Sequence, residues 1–264
     1  MGNRVSTYGE FMSFDLQTLM HRLEQAQAAQ NRALCLAEGG TSVPLAGGHA
    51  LFRKEGHPLN QALGQVEPLT HEALDQAEAL LGRGGHPTVL EVCPILTDDS
   101  WKVLAARGYR VQQFQHLLAR PLGEDAFSVS CEVRRVRSHE FETFSKVVSA
   151  SFAGLDAWQE HVPFFTLPPT EGVSSWMVSV DGAPAGGGTL GLFDGVALLA
   201  GDGVLPRFRG RGLQKALIAA RLKWAVAAGA EWACASTLPS THSQRAYEAC
   251  GFRVMYPKVE MAKG

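Results

Sequence analysis

Apolar residues recur at roughly helical spacing over 13–30, where Phe14, Leu16, Leu19, Met20, Leu23 and Ala26 predict a helix. Residues 32–54 carry two short apolar runs around Gly39-Gly40 and Gly47-Gly48, a pattern that predicts two strands and a turn. Over 70–82, Leu74, Ala77, Leu80 and Leu81 share one side of a further predicted helix. Thr88–Cys93 reads as a short strand. A helix capped by Asp98 or Asp99 ends before Gly108, and Val111–Leu118 is another strand. Residues 121–128 carry no periodicity and read as a linker.

The second half has the same rhythm. Cys131–Val136 predicts a strand and Glu140–Phe152 a helix, and an irregular aromatic stretch covers 153–172. Ser174–Val180, Gly186–Leu192 and Val196–Val204 are three strands, separated by the hairpin signals Asp181-Gly182 and Asp194-Gly195. After a glycine-rich turn a helix runs from about 212 to 228, with Leu213, Leu217, Ala220 and Trp224 on one face and Gly229 as its stop. Trp232–Leu238 reads as a buried strand, Thr241–Cys250 as a helix and Phe252–Met261 as the last strand.

Gly108-Tyr109-Arg110-Val111 aligns with Gly251-Phe252-Arg253-Val254 at an offset of 143 residues. Without gaps, that offset puts Ser100 on Ser243, Ala73-Leu74 on Ala216-Leu217, and Thr88–Cys93 on Glu231–Ser236. Such agreement in residue type and element predicts two versions of one unit. The differences locate the chemistry. Arg207, Gly210 and Gly212 fall on Gly64, Glu67 and Leu69, and Tyr247 falls on Leu104. The first version thus lacks both glycines and the phenol, and carries a carboxylate at the turn.

The 264-residue chain is 45% hydrophobic and 19% charged, which excludes long disordered, collagen-like and fibrous classes. A formal charge of −2 provides no global positive field for nucleic acid or an anionic membrane. Cys35, Cys93, Cys131, Cys234 and Cys250 are odd in number and contain no C-x-x-C, so a reducing cytoplasm is expected rather than a disulfide framework or zinc ribbon. No apolar run reaches the roughly 18 residues of a membrane span, and no signal core opens the sequence. Met1-Gly2-Asn3-Arg4-Val5-Ser6 fits a loose acylation pattern, read here as chance.

The segment from Val204 to Leu213 joins a strand to a helix. A helix N-terminus presents unpaired N–H groups and the positive end of a dipole, which suits a phosphate. Gly210 and Gly212 admit close backbone approach, and Arg209 and Arg211 add charge. The same residues would also make a connector with solvated arginines. A P-loop, a G-x-G-x-x-G, an H-E-x-x-H and a G-x-S-x-G are all missing, and no metal site is expected.

Arg207-x-x-Gly210-x-Gly212 after a strand, followed by Ser243-x-x-x-Tyr247-x-x-x-Gly251-Phe252, resembles the acetyl-CoA signature and downstream helix of the GNAT N-acetyltransferase superfamily. The resemblance covers about residues 130–264, and 1–125 join it only through the repeat. It implies an α/β (α+β) chain of two tandem GNAT-like domains, each a mixed, mostly antiparallel sheet flanked by helices. Residues 1–125 would be a degenerate domain without the CoA motif, and 126–264 the acetyltransferase domain. It further implies that strands 196–204 and 232–238 splay and admit pantetheine, with Val204 and Leu205 beside it. Arg207, Arg209, Gly210, Arg211, Gly212 and Leu213 would then hold the pyrophosphate, with Ser243 standing where many members carry Asn.

The implied reaction is direct attack of an amine on the thioester of acetyl-CoA, with Tyr247 returning a proton to the thiolate. An alkyl ammonium has a pKa near 10, so a base is needed. Asp202 shares a strand face with Val204 and is the first candidate; Glu160 and His161 are others acting through water. Tyr247 could equally be a core aromatic, and Asp202 a salt-bridge partner. Phe152, Trp158, Phe164 and Phe165 could line an acceptor pocket or belong to the core. The acceptor, a small-molecule or peptide amine, stays open among a peptide N-terminus, an amino acid, a polyamine and an aminoglycoside. Nucleic-acid and membrane partners are not expected. A non-catalytic acyl-CoA sensor is the rival reading, and a pure interaction module would need no glycine cradle.

Overall fold

The computed structural model describes residues 8–123, 127, 129, 131–163, 166 and 168–264, with side chains from residue 16. Phe164, Phe165 and half of the expected linker lie outside the described residues. The chain runs α1 (Tyr8–Ala37), β1 (Thr41–Leu45), β2 (Gly48–Phe52), β3 (Gln61–Leu63), α2 (His71–Leu81), β4 (Thr88–Val92), α3 (Asp98–Ala106) and β5 (Arg110–Pro121). It continues with β6 (Val133–Arg135), α4 (Phe141–Ala153), β7 (Val173–Val180), β8 (Ala183–Phe193), β9 (Val196–Val204), α5 (Leu213–Ala227), β10 (Trp232–Thr237), α6 (His242–Ala249) and β11 (Arg253–Lys263).

The α/β class and nearly all elements match the periodicity. Asp181-Gly182 and Asp194-Gly195 both adopt positive φ, as tight hairpins between twisted strands require. Helix α1 runs past the end of its apolar pattern, because after residue 30 no glycine or proline occurs until Gly39, whose φ is +79°. Three-residue β3 is too short to show an alternation.

The larger difference is that the two expected sheets are one. The eleven strands lie in the order β1-β2-β3-β4-β11-β5-β10-β9-β8-β7-β6. The last strand of each half crosses to the other: β11 pairs antiparallel with β4, and β5 with β10. β5 and β11 also pair with each other, and their register obeys the 143-residue offset. Applied to Arg253↔Ala119, the offset gives Ala262↔Arg110, also observed, and it leaves Gln115↔Lys258 unchanged. A local twofold axis therefore runs between Gln115 and Lys258.

Helix α1 covers this junction. Lys258, fully buried, donates to Glu24 Oε2 at 2.9 Å and to Gln27 Oε1 at 2.7 Å, and also pairs with Glu91 of β4. Tyr256 donates to the other Glu24 oxygen at 2.8 Å. Burial pushes the Glu24 carboxyl up against the pull of Lys258. Charges removed from water at this cost persist only when their partners are close, so α1, β4 and β11 are held in one arrangement. Around the other end of β5, Leu118 joins Leu217, Ala235, Tyr247 and Phe252 in the largest core cluster.

Candidate active site

β9 and β10 are parallel neighbours for only three pairs, Val196↔Trp232, Ala197↔Ala233 and Leu198↔Cys234. Beyond them β9 runs on to Val204 and β10 to Thr237, and the strands diverge. Between Gly187↔Gly203 and Thr189↔Ala200, two residues of β9, Gly201 and Asp202, face the single Gly188 of β8. This bulge, with Gly201 at φ +65°, re-aims β9 at the mouth of the cleft. Two cavities meet there. One of about 740 Å³ runs past Val204, Arg209, Gly210, Gly212, Lys215 and Arg245. The other, about 420 Å³, is bounded by β5, β9, β10 and α6; Phe152, Asp202 and Ser243 line both.

The turn between β9 and α5 matches the cradle read from the sequence. Gly210 and Gly212 have φ of +76° and +77°, and nothing stands within 4 Å of where a Cβ would be. The left-handed backbone, rather than crowding, requires glycine at both. Among the described residues, the N–H groups of Gly210, Arg211, Gly212 and Leu213 have no acceptor, and α5 begins at Leu213. The residues around them have other attachments. The Arg207 N–H donates to Asp156 at 2.9 Å, and its guanidinium lies 4.8 Å from the Phe208 ring centroid, which Arg211 approaches at 5.6 Å. Arg209 donates to the carbonyls of Val204 at 3.0 Å and Ser151 at 2.9 Å. That contact occupies the Val204 carbonyl expected to meet pantetheine. Leu205 is fully buried and its N–H is bonded to Ala185, so it anchors the turn from below. Ser243 lines the groove while accepting from Gln214 at 3.2 Å.

The corresponding turn of the first half is closed on itself. Val66 and Glu67 both donate to the Ala46 carbonyl, Leu69 N–H to Ser100 Oγ at 3.0 Å, and Ala73 N–H to the capping Thr70. Ser100, aligned with Ser243, is fully buried. Of the positions aligned with Gly210–Leu213, Glu67 and Leu69 have their amides bonded within the protein and Pro68 has no N–H.

Asp202 and Tyr247 meet, but not as free base and free acid. Asp202 Oδ1 lies 2.6 Å from Arg221 Nη1, with side chains 4% and 0% exposed. Tyr247, also buried, donates to Asp202 Oδ2 at 2.7 Å. Arg221 further donates to the carbonyls of Leu217 and Thr189. Burial and then Asp202 push the Tyr247 phenol well above its usual range, so it stays protonated. Burial pulls Arg221 down, but Asp202 and Tyr247 outweigh it and the guanidinium stays charged. Of the two readings the sequence allows for Asp202, a base or a salt-bridge partner, the geometry shows the ion pair, and both its oxygens hold partners. The Gly186-Gly187-Gly188 run makes this packing possible. A Cβ on Gly188 would lie 2.3 Å from Asp202 Oδ1 and 2.8 Å from Arg221 Nη1.

Replacing Arg221 by Met is expected to cost about 3–5 kcal/mol, because Asp202 would be left as an uncompensated buried charge. Urea unfolding checks this, and an unchanged midpoint would show that Asp202 is solvated. Arg221 escaped the sequence reading. Its signal was a lone arginine four residues after Leu217 on the apolar face of α5.

Phe152 is 57% exposed and lines both cavities, whereas Trp158 packs on Val147, Ala150 and Leu205. Glu160 is exposed, and neither it nor His161 is among the described residues lining these cavities. Gln113 and Gln115 do line the smaller cavity. They come from β5, which the sequence assigns to the other half.

Fold and cleft together define an α/β protein whose mixed sheet opens between two parallel strands onto an amide-bearing helix start. Residues 134–252 match the model of the Acetyltransferase (GNAT) family. The chain is similar over 89% of its length to a GCN5-related N-acetyltransferase from Kribbella flavida, at 18% identity and a TM-score of 0.60, covering 95% of that chain. It is similar over 85% of its length to a tandem GNAT protein from the clavulanic acid biosynthesis pathway, at 15% identity and a TM-score of 0.55, covering 78% of that chain. A GCN5-related N-acetyltransferase from Sphaerobacter thermophilus matches 73% of the chain at 15% identity and a TM-score of 0.51, with 66% of that chain covered. These likenesses are of fold. No curated protein matches the chain.

Proposed function

We propose that the chain is an acetyl-CoA-dependent N-acetyltransferase acting on a primary amine, with one CoA site, formed by residues 126–264. The observation that carries this reading is the glycine turn, whose free amides open onto the cleft between β9 and β10. Acetyl-CoA would supply a thioester carbon that the neutral amine attacks, forming the amide as CoA leaves as its thiolate. Amides from Gly210 to Leu213 would bind the pyrophosphate, Lys215 and Arg245 would add charge along the groove, and Ser243 would contact it from α6. Residues 1–125 would be a degenerate GNAT-like unit that builds one wall of the acceptor cavity. The five cysteines form no disulfide among the described residues, which suits a cytoplasmic setting. Among the described residues, no helix is long and apolar enough to cross a membrane.

Calorimetry with CoA is expected to give one site per chain, and an amine panel is expected to release free thiol. Two equivalent CoA sites would refute the closed first turn. One specific observation favours the alternative of a non-catalytic acyl-CoA sensor: Tyr247 and Asp202 are bound to each other in a buried network. CoA binding without thiol release for any amine would decide for the sensor.

Tyr247→Phe separates the two roles of the phenol. General acid catalysis is typically worth about 10²–10⁴-fold, but a thiol near pKa 8.5 leaves tolerably well unaided. A raised phenol is also a weaker acid. The expected loss in turnover is therefore on the order of tenfold, at or below the low end of that range, with CoA affinity unchanged. Full turnover with the best amine would make Tyr247 a packing residue.

A further inference from the structure

We infer that Thr237, with Gln113 and Gln115 of β5, forms the subsite that recognises the acceptor, and that this subsite takes a small amine with a neutral, hydrogen-bonding body rather than a polycation. The inference rests on the acetyl-transfer reading above. Thr237 lines the 420 Å³ cavity at the end of β10, and the residue is only 6% exposed. Its Oγ1 is buried and has no hydrogen-bond partner among the described residues. Buried hydroxyls are nearly always satisfied, so one left open at a cavity wall marks a place for a ligand atom. Ser236 beside it is already engaged, accepting from Gln27 of α1 at 2.8 Å.

The facing wall is neutral too. Gln113 Nε2 donates to Glu260 at 2.8 Å, which leaves the Gln113 carbonyl oxygen as an acceptor. Gln115 adds a carboxamide two residues along the same strand. The cross-strand neighbour of Gln115 is Lys258, whose ammonium is held by Glu24, Glu91 and Gln27. Among the described residues lining this cavity only Asp202 carries a charge, and Arg221 compensates it at 2.6 Å. A ligand bringing several ammonium groups would lose their hydration without gaining an unpaired carboxylate. Amide and hydroxyl groups on the ligand would instead satisfy Thr237 and the two glutamines. The volume lies in the range of small-molecule sites, about 300–1,000 Å³.

The test uses the full chain saturated with CoA, titrated calorimetrically with L-phenylalaninamide, glucosamine and spermidine, and with acetyl-CoA for thiol release. At least one of the first two is expected to bind and to be acetylated, with spermidine at least tenfold weaker. Thr237→Val removes the hydroxyl at nearly constant volume. It is expected to raise the KM for that amine about tenfold, as loss of one hydrogen bond would, with kcat and CoA affinity unchanged. Thr237→Ser is expected to restore it. Because the hydroxyl has no partner among the described residues, the Val variant is expected to unfold at or above the parent temperature. Tighter binding of spermidine, no binding of either neutral-bodied amine to the CoA complex, or a Val variant with the parent's KM would each overturn the assignment. Absence of CoA binding would overturn the acetyl-transfer reading, and this subsite with it.

Discussion

A fragment of residues 126–264 is expected to be insoluble or oligomeric, and to yield a monomeric CoA-binding species only when residues 1–125 are supplied with it. The reason is β5. It lies between β10 and β11 and hydrogen-bonds to both, with six register pairs to β10 and nine to β11. Removing it leaves two long strands with unpaired N–H and C=O groups, and such edges associate with other chains. It also takes Leu118 out of the cluster that holds Leu217, Ala235, Tyr247 and Phe252. Losing a fully buried leucine costs about 2–5 kcal/mol, a large part of the usual stability of a domain. The sheet could close over the gap only if β11 moved onto β10, and Lys258 would still lack Glu24 and Glu91, which both belong to the missing half. Sedimentation of the fragment, alone and mixed, reads the outcome directly. A monomeric 126–264 fragment with the full chain's CoA affinity would show that β5 is dispensable to this half.

Gly212→Asp is expected to abolish CoA binding while the protein stays folded. Gly212 caps α5 at φ +77°, and the space beside it is open, so a carboxylate fits without a clash. The left-handed backbone costs an Asp about 1–2 kcal/mol, at the low end because its side chain bonds locally. The electrostatic effect is larger. A carboxylate about 4 Å from a phosphate charge is opposed by about 4 kcal/mol at an effective dielectric of 20, nearly a thousandfold in affinity. Gly212→Asn has similar conformational freedom without the charge and is expected to retain most of the binding. Calorimetry with CoA and thermal unfolding of both variants check this. Unchanged affinity in the Asp variant at a normal melting temperature would move the phosphate site elsewhere.

Local features were legible in the sequence because they are set by neighbours along the chain. Gly210 and Gly212 adopt the left-handed conformations that glycine alone reaches cheaply. The Asp-Gly pairs make the hairpins, and the apolar stripe of α5 finds the core. The offset of 143 residues, read from a few identities, reappears as the register of β5 against β11. At the first turn, where both glycines are absent, Glu67 and Leu69 have their amides bonded within the protein.

What only the tertiary structure decided depends on partners far apart in sequence. Period-two alternation tells which face of β5 is apolar, but not which strand lies beside it. Both halves present the same vacant edge, so exchange of the last strand is invisible to any local pattern. The Asp202–Arg221 pair joins residues of β9 and α5 and occupies a carboxylate that the sequence leaves open as a base. Gln113 and Gln115 reach the smaller cavity only through the exchange. Sequence alone thus determined most elements and the two left-handed glycines of the turn before α5. Packing at the crossed strands decided how the halves join, which polar groups lost their freedom, and which stayed open to a ligand. Hydrogen-bonded ladders and buried ion pairs are satisfied across space, and the chain order does not encode them one residue at a time.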